Sequence, residues 1–272
     1  MRMLFIGDVM GEPGMRAVDV HVQHLRERYT LDLVIANAEN VAGGNGVTKE
    51  TATALFDAGV DVLTNGNHAW DKREALDYIR TEPRLLRPYN YPDGTPGEGW
   101  YTATAANGHK IGVLNLLGTT FMEPKLGCAF RAADRALQRK PQDLKLVFVD
   151  MHAETTSEKM ALAWYLDGRV SAVIGTHTHV PTADERILPK GTGFLTDVGM
   201  SGCYDSVIGL KVEQSLERFV NKLPARFEVA QGEGTLCAVL LDLDETSGRC
   251  HHIERVRLNE SEAAESSLRR AV

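Results

Sequence analysis

The chain predicts an α/β fold, a four-layer α/β/β/α sandwich of two mixed sheets flanked by helices. Three observations lead there. The first 66 residues alternate apolar runs with helically spaced segments in the order β-α-β-α-β, which favours a largely parallel sheet under helices. Later segments pair as hairpins, so antiparallel strands join the parallel ones. A length of 272 residues is enough to bury a large core.

Residues 3–6 are a short buried-strand pattern, and 15–29 (MRAVDVHVQHLRERY) show helical spacing. LDLVIAN (31–37) is a β-rich run with a polar stop at Asn37. A glycine-rich loop, VAGGNG, leads to Thr48, which N-caps a helix through Ala58. VDVLTNG (60–66) is the third strand. Residues 83–99 are rich in Pro and Gly, yet Leu, Tyr and Arg interleave, so they read as an ordered loop rather than a linker. WYTATA and KIGVLNL flank Asn107-Gly108, a two-residue hairpin signal. KLVFVDM (145–151) is a buried strand, a helix is expected over 157–167, and VSAVIGT (170–176) is again a strand ending in a polar loop. TLCAVLLDLD and HHIERVRL flank ETSGR as a second hairpin. Roughly the last 12 residues read as a frayed tail. With no internal repeat, low-complexity tract or boundary, one domain over 1–272 is expected.

The formal charge of -7 argues against a nucleic-acid scaffold, which works by neutralising phosphates with a basic excess. It leaves room for a small phosphorylated substrate whose charge a bound metal offsets. Cys128, Cys203, Cys237 and Cys250 are scattered without a C-x-x-C pair and read as buried or half-buried free thiols of a reducing compartment. The N-terminus enters a strand at once, without the pattern of a secretory leader, and no run approaches the ~18 apolar residues of a membrane span. A soluble, cytoplasmic protein without a membrane partner is expected.

The chemistry collects where apolar strands stop. Asp8 follows LFIG, Asn37-Ala38-Glu39-Asn40 follow LVIA, and Asn65-Gly66-Asn67-His68 follow DVLT. His152 follows LVFVDM, and Thr176-His177-Thr178-His179 follow AVIG. The carboxyl ends of parallel strands share one edge of an α/β sheet, where ligands bind. These carboxylates, carboxamides and imidazoles should therefore converge, and they are metal-ligand types. In an extended segment His177 and His179 project to one side. His21, His24, His109, His251 and His252 lie outside this pattern and read as surface or packing residues. Mixed oxygen and nitrogen donors suit Fe or Mn, with Zn possible, and the absence of cysteine among them argues against a structural zinc knot. Seven candidates, Asp8, Glu39, Asn40, Asn67, His152, His177 and His179, exceed one ion's need and suit two divalent ions sharing a carboxylate.

The order Asp, acidic residue, Gly-Asn-His, His, then Gly-x-His-x-His resembles the calcineurin-like metallophosphoesterase superfamily. GDVMGEPG, IANAENVAGGNGVT, TNGNHAWDK, RPYNYP, MHAETTSEK, GTHTHVPTAD and TDVGMSG resemble, more closely, the YmdB family of bacterial metallophosphoesterases. The likeness runs from the N-terminus to about residue 210. It implies a cytoplasmic di-metal phosphodiesterase acting on cyclic nucleotides, especially 2′,3′-cyclic ones. It also implies Asp8, Glu39, Asn40 and His179 around one ion, and Glu39 (bridging), Asn67, His152 and His177 around the other. The wider superfamily usually begins Asp-x-His; here Met10 holds the third position, and Asn40 fills the gap. The superfamily's bridging Asp is likewise replaced, by Glu39.

Hydrolysis needs an in-line nucleophile and neutralised phosphoryl charge, and two ions ~3.5–4 Å apart supply both, with a bridging water largely deprotonated near neutral pH. His68 directly follows a ligand without being needed as one. It either protonates the leaving ribose oxygen, as catalytic residue, or hydrogen-bonds behind the ligands. Gly43-Gly44-Asn45-Gly46 either admits a substrate phosphate to the backbone or simply turns. Glu154, Thr155 and Thr156 are candidates for orienting imidazoles, and Asp71 and Asp184 for caps or supporting partners. Arg87 to Tyr91 and Thr196 to Gly202 either line the pocket or pack.

The expected partner is a small phosphodiester, with 3′,5′-cyclic AMP a further possible substrate and a homo-oligomer left open. Two other functions compete. One is a phosphomonoesterase or nucleotidase with the same ions. The other is a non-catalytic nucleotide-binding regulator using residues 4–14 as a phosphate loop, but that stretch is neither G-x-G-x-x-G nor a Walker A.

Overall fold

A computed structural model describes residues 1–262, so all but the start of the expected tail lies outside the described residues. The elements run β1 (Arg2–Ile6), α1 (Gly11–Tyr29), β2 (Leu33–Asn37), α2 (Lys49–Asp57), β3 (Val62–Thr64) and α3 (Ala75–Tyr78). Then come β4 (Trp100–Thr104), β5 (Lys110–Leu117), α4 (Ala129–Arg139), β6 (Leu146–His152), α5 (Thr156–Leu166) and β7 (Ala172–Thr176). Last are β8 (Arg186–Ile187), β9 (Gly193–Leu195), β10 (Gly202–Cys203), α6 (Val212–Asn221), β11 (Gly234–Leu243) and β12 (Cys250–Asn259).

They form two six-stranded sheets. In the first, β1, β2 and β3 are parallel, while β11 runs antiparallel to β1 and pairs with β12 as the expected hairpin. In the second, β5, β6, β7 and β9 are parallel, with β4 and β8 antiparallel at the edges.

Alternation along the strands builds the layers. Met3 and Phe5 of β1 enter a core between the sheets with Ile35, Val113 and Phe148, and the Phe5 and Phe148 rings lie 4.8 Å apart. Leu4 and Ile6, one residue out of phase, pack under Val18 and Val22 of α1 and Leu55 of α2. A third core joins Val147 and Val149 of β6 to Ala132 of α4 and Leu162 of α5. Strands buried on both faces therefore read as continuous apolar runs. This is the four-layer α/β/β/α sandwich that the sequence predicts.

Some elements differ from expectation. α1 begins at Gly11 rather than at 15. Pro13 suits a first turn, where its missing N–H would be unpaired anyway. Gly14 approaches the Ser201 segment so closely that a Cβ would lie 2.3 Å from the Ser201 carbonyl oxygen. α4 lies outside the expected elements, although Ala129, Ala132, Ala133 and Ala136 recur at helical spacing and form its buried face. α6 also lies outside the expected elements, although Val212, Leu216, Phe219 and Val220 recur at helical spacing; Leu216, Phe219 and Val220 are exposed. Cys203, Cys237 and Cys250 are buried free thiols as expected, but Cys128 is exposed, at the N-cap of α4. Among the described residues no helix is long and apolar enough to cross a membrane.

The carboxyl ends of strands from both sheets meet. Asn37 Nδ2, at the end of β2, donates to Asp150 Oδ2 of β6 at 3.0 Å. Thr64 Oγ1, at the end of β3, donates to the same oxygen at 2.5 Å.

Candidate active site

Beyond β1 the chain passes through Gly7, where a Cβ would lie 1.8 Å from the Gly199 carbonyl oxygen. Only glycine fits this approach. Asp8 then arrives fully buried, its Oδ2 accepting from His177 N at 3.1 Å. Its Oδ1 is buried without a hydrogen-bond partner. A buried carboxylate oxygen in that condition is costly unless a donor or cation meets it.

The second strand end delivers Glu39 and Asn40, both buried. Glu39 Oε1 lies 3.0 Å from His152 Nε2, and Asn40 Oδ1 lies 3.2 Å from His179 Nε2. From the third, Asn67 Oδ1 stands 3.0 Å from the same His152 Nε2. His177 Nδ1 is 3.0 Å from it as well. Gly66 leaves the room this needs, since a Cβ there would come within 2.2 Å of the His152 ring. Ligand atoms of Glu39, His152 and His177 all lie within 4.8 Å of one another, an arrangement able to hold a divalent cation.

His177 and His179 both take positive φ, 104° and 65°, so the loop that follows β7 is a strained turn. The strain is held from below. Asp197 Oδ2 accepts from Thr178 N at 3.1 Å and Thr178 Oγ1 at 2.8 Å, and from the fully buried Lys159 ammonium at 2.6 Å. His177 Nε2 turns outward to Glu154 Oε2 at 3.1 Å.

His68 sits at the rim. Its backbone N–H donates to Glu39 Oε2 at 3.2 Å, and its Nδ1 lies 2.7 Å from Asp71 Oδ2. Glu39, Asn40, His68, His177 and His179 line a common cavity of about 310 Å³, with Asp8 and His152 buried behind it. The cavity gathers the predicted residues into one place.

Charge coupling sets their protonation. Burial alone would lower the His152 pKa, but the charge and hydrogen bond of Glu39 outweigh it and raise it to about 8. Burial and the neighbouring His152 push His177 down to about 3, leaving a neutral ring with a free lone pair. Burial raises the Asp8 carboxyl against the pull of His179 and His152. Glu39 is lowered despite its burial, because His152 lies beside it.

Other candidates fall elsewhere. Arg87 is buried and donates to the carbonyls of Pro88, Thr95 and Pro96, and Tyr91 packs edge-on against Trp70, so this segment organises a loop. Asp184 binds Thr182 and Thr196, while Thr155 Oγ1 is buried without a partner. His21 is buried, 2.9 Å from the Asn259 carbonyl oxygen.

Residues 4–256 match the family model described as YmdB-like protein. The chain belongs to the YmdB-like family. It is 48% identical over 260 residues to the 2′,3′-cyclic-nucleotide 2′-phosphodiesterase of Bacillus subtilis (strain 168), covering 96% of this chain and 98% of that one. A hypothetical protein from Thermus thermophilus superposes with a TM-score of 0.89 at 48% identity, covering 95% of this chain and 99% of that chain. The crystal structure of a novel phosphatase from Mycoplasma pneumoniae gives 0.90 at 36% identity, covering 95% and 93%.

In this YmdB-like chain, sequence reasoning missed the supports beneath the site. Thr176 Oγ1 donates to Asp150 Oδ1 at 2.7 Å and lies 2.9 Å from His152 Nδ1. An acid inside the apolar run LVFVDM, two residues before His152, was the available signal. Lys159 and Asp197 each lie in a motif quoted above, but their pairing had no local signal, because they are 38 residues apart and meet only in the fold.

Proposed function

We propose that this chain, as a single cytoplasmic metallophosphoesterase domain, is a di-metal phosphodiesterase hydrolysing cyclic nucleotides of the 2′,3′ type. Membership of the YmdB-like family makes it a metallophosphoesterase. The observation that carries the finer reading is the convergence on His152 Nε2 of Glu39 Oε1, Asn67 Oδ1 and His177 Nδ1, each at 3.0 Å. So many lone pairs facing one point suit cations. The unpartnered Asp8 Oδ1 supports the same fit.

On this reading Asp8, Glu39, Asn40 and His179 would hold one ion, and Glu39, Asn67, His152 and His177 the other, with Fe, Mn or Zn all chemically suited. Bound there, the ions would supply Lewis acidity and offset charge on the phosphoryl oxygens. The chain's own residues do the rest. Thr176 and Asp150 orient His152 from behind, so that its Nε2 faces the site. Asp71 accepts from Nδ1–H of His68, and the imidazolium form of that ring would give its Nε2 proton to the departing ribose oxygen. The 310 Å³ cavity admits a mononucleotide.

A panel of adenosine 2′,3′-cyclic phosphate, adenosine 3′,5′-cyclic phosphate and p-nitrophenyl phosphate tests the reading. Fastest turnover of the 2′,3′ diester, with adenosine 3′-monophosphate as product, supports it. The phosphatase among the solved relatives favours a second reading, a phosphomonoesterase on the same residues. Preferential turnover of the monoester would select that one.

A further inference from the structure

The cavity is polar on all sides but one. On the His179 side Met10, Ile208 and Leu210 present an apolar wall, and of these Ile208 is the most open, 48% exposed. Ile208 is also a backbone outlier. It takes φ +49°, a region unfavourable for a β-branched residue and one in which strain is typically associated with function. The turn holding it is over-determined. Val207 N and Leu210 N each donate to the other's carbonyl, at 2.9 and 3.0 Å, and Ser206 Oγ accepts from Gly209 N at 2.8 Å. Gly209 is pressed so close that a Cβ would lie 2.5 Å from Met10 Cγ. The Ile208 carbonyl oxygen lies 2.8 Å from His179 Nδ1, which fixes its side chain at a set distance from the polar centre.

Facing the same cavity is Asn45, lifted between Gly44 at φ +98° and Gly46 at φ +78°. It is exposed, and among the described residues its carboxamide makes no hydrogen bond. Neither residue is explained by hydrolysis of a phosphodiester as such. A cyclic nucleotide, however, carries a flat base beside its charged phosphoryl group. Aliphatic surface accepts the face of such a ring, and a carboxamide offers the paired donor and acceptor that match a base edge.

We propose that Ile208 and Asn45 form a nucleobase subsite, Ile208 as the platform under the ring and Asn45 as the group that reads its edge. The proposal rests on the cyclic-nucleotide reading above. It makes the chain selective for nucleotides over base-free sugar diesters.

The test compares kcat/KM for adenosine 2′,3′-cyclic phosphate with that for ribose 2′,3′-cyclic phosphate, which lacks the base. Ile208→Ala should lower this ratio about tenfold through KM, the scale typical of lost apolar contact, and Ile208→Leu should restore most of it. Asn45→Ala should flatten the differences among adenosine, guanosine, cytidine and uridine substrates. Equal losses on both diesters in Ile208→Ala would reduce Ile208 to a support for His179 and overturn the platform. Calorimetric binding of adenosine 3′-monophosphate keeps the subsite testable apart from turnover. If the wild-type chain hydrolyses neither diester, the functional reading fails. Weakened binding in Ile208→Ala would then still sustain the subsite, and unchanged binding would overturn it.

Discussion

His68 Nδ1 lies 2.7 Å from Asp71 Oδ2, at the rim of the cavity and next to a backbone N–H that donates to Glu39. The Asp71 carboxylate accepts from Nδ1–H and orients the ring, and Nε2 gives a proton from the imidazolium form. His68→Ala is expected to lower kcat by about 10²–10⁴-fold while metal content is retained. Asp71→Asn should cost less, on the order of tenfold, because the ring remains but its orientation loosens. Wild-type kcat in His68→Ala, measured by single-turnover kinetics, would remove His68 from the chemistry.

Thr176 tests the support behind His152. Its hydroxyl gives its proton to Asp150 and therefore receives the His152 Nδ1 proton, which leaves Nε2 as the donor atom. Thr176→Val keeps the shape and deletes that link. It should weaken metal binding about 10–100-fold and cost about 1–3 kcal/mol of stability. Thr176→Ser should retain both. Metal titration of the two variants separates this from a simple packing defect.

Lys159 and Asp197 form a fully buried pair beneath the strained His177–His179 turn. Removing one partner strands the other charge. Lys159→Met is predicted to destabilise the fold by about 3–5 kcal/mol in urea unfolding. A loss within about 0.5 kcal/mol would mean that the pair contributes little to holding the turn.

The pH dependence of stability should differ between metal-free and loaded protein. In the metal-free chain the folded pKa of His152, about 8, lies above its ordinary 6.5. Its contribution is fully present below pH 6.5 and lost as pH rises through 8, a change of about 2 kcal/mol. Asp8, raised by burial, acts with the same sign. Metal must displace the His152 proton, so affinity rises with pH instead. Urea midpoints should therefore fall from pH 6 to pH 9 after chelation, and the gain from added Mn²⁺ should grow. Parallel curves would contradict the assignment of His152 as a ligand.

The strand ends were legible because each apolar run stops on a polar group, and five such stops share one edge in an α/β sheet. The layer order was legible for a related reason: parallel runs and two hairpins leave few ways to bury both faces of every strand. α4 and α6 also carry helical spacing, through Ala129, Ala132, Ala133 and Ala136 in one and Val212, Leu216, Phe219 and Val220 in the other, but the exposed stripe of α6 shows that periodicity does not say whether a face is buried. At the site, pattern found the polar ligand-type residues but neither the apolar wall of Ile208 and Leu210 nor what holds the ligands in place. The turn at His177 and His179 depends on Asp197 and Lys159, and the strain at Ile208 depends on a closed loop. Such long-range partners carry no local periodicity.

The proposed hydrolysis needs two cations acting together on one cyclic phosphodiester. Its most direct test is turnover of adenosine 2′,3′-cyclic phosphate by chelator-treated protein as Mn²⁺ is added in measured equivalents. Activity absent at the start and reaching its plateau at two equivalents per chain is the predicted result. Full turnover before any metal is added, or a plateau at one equivalent, would contradict it.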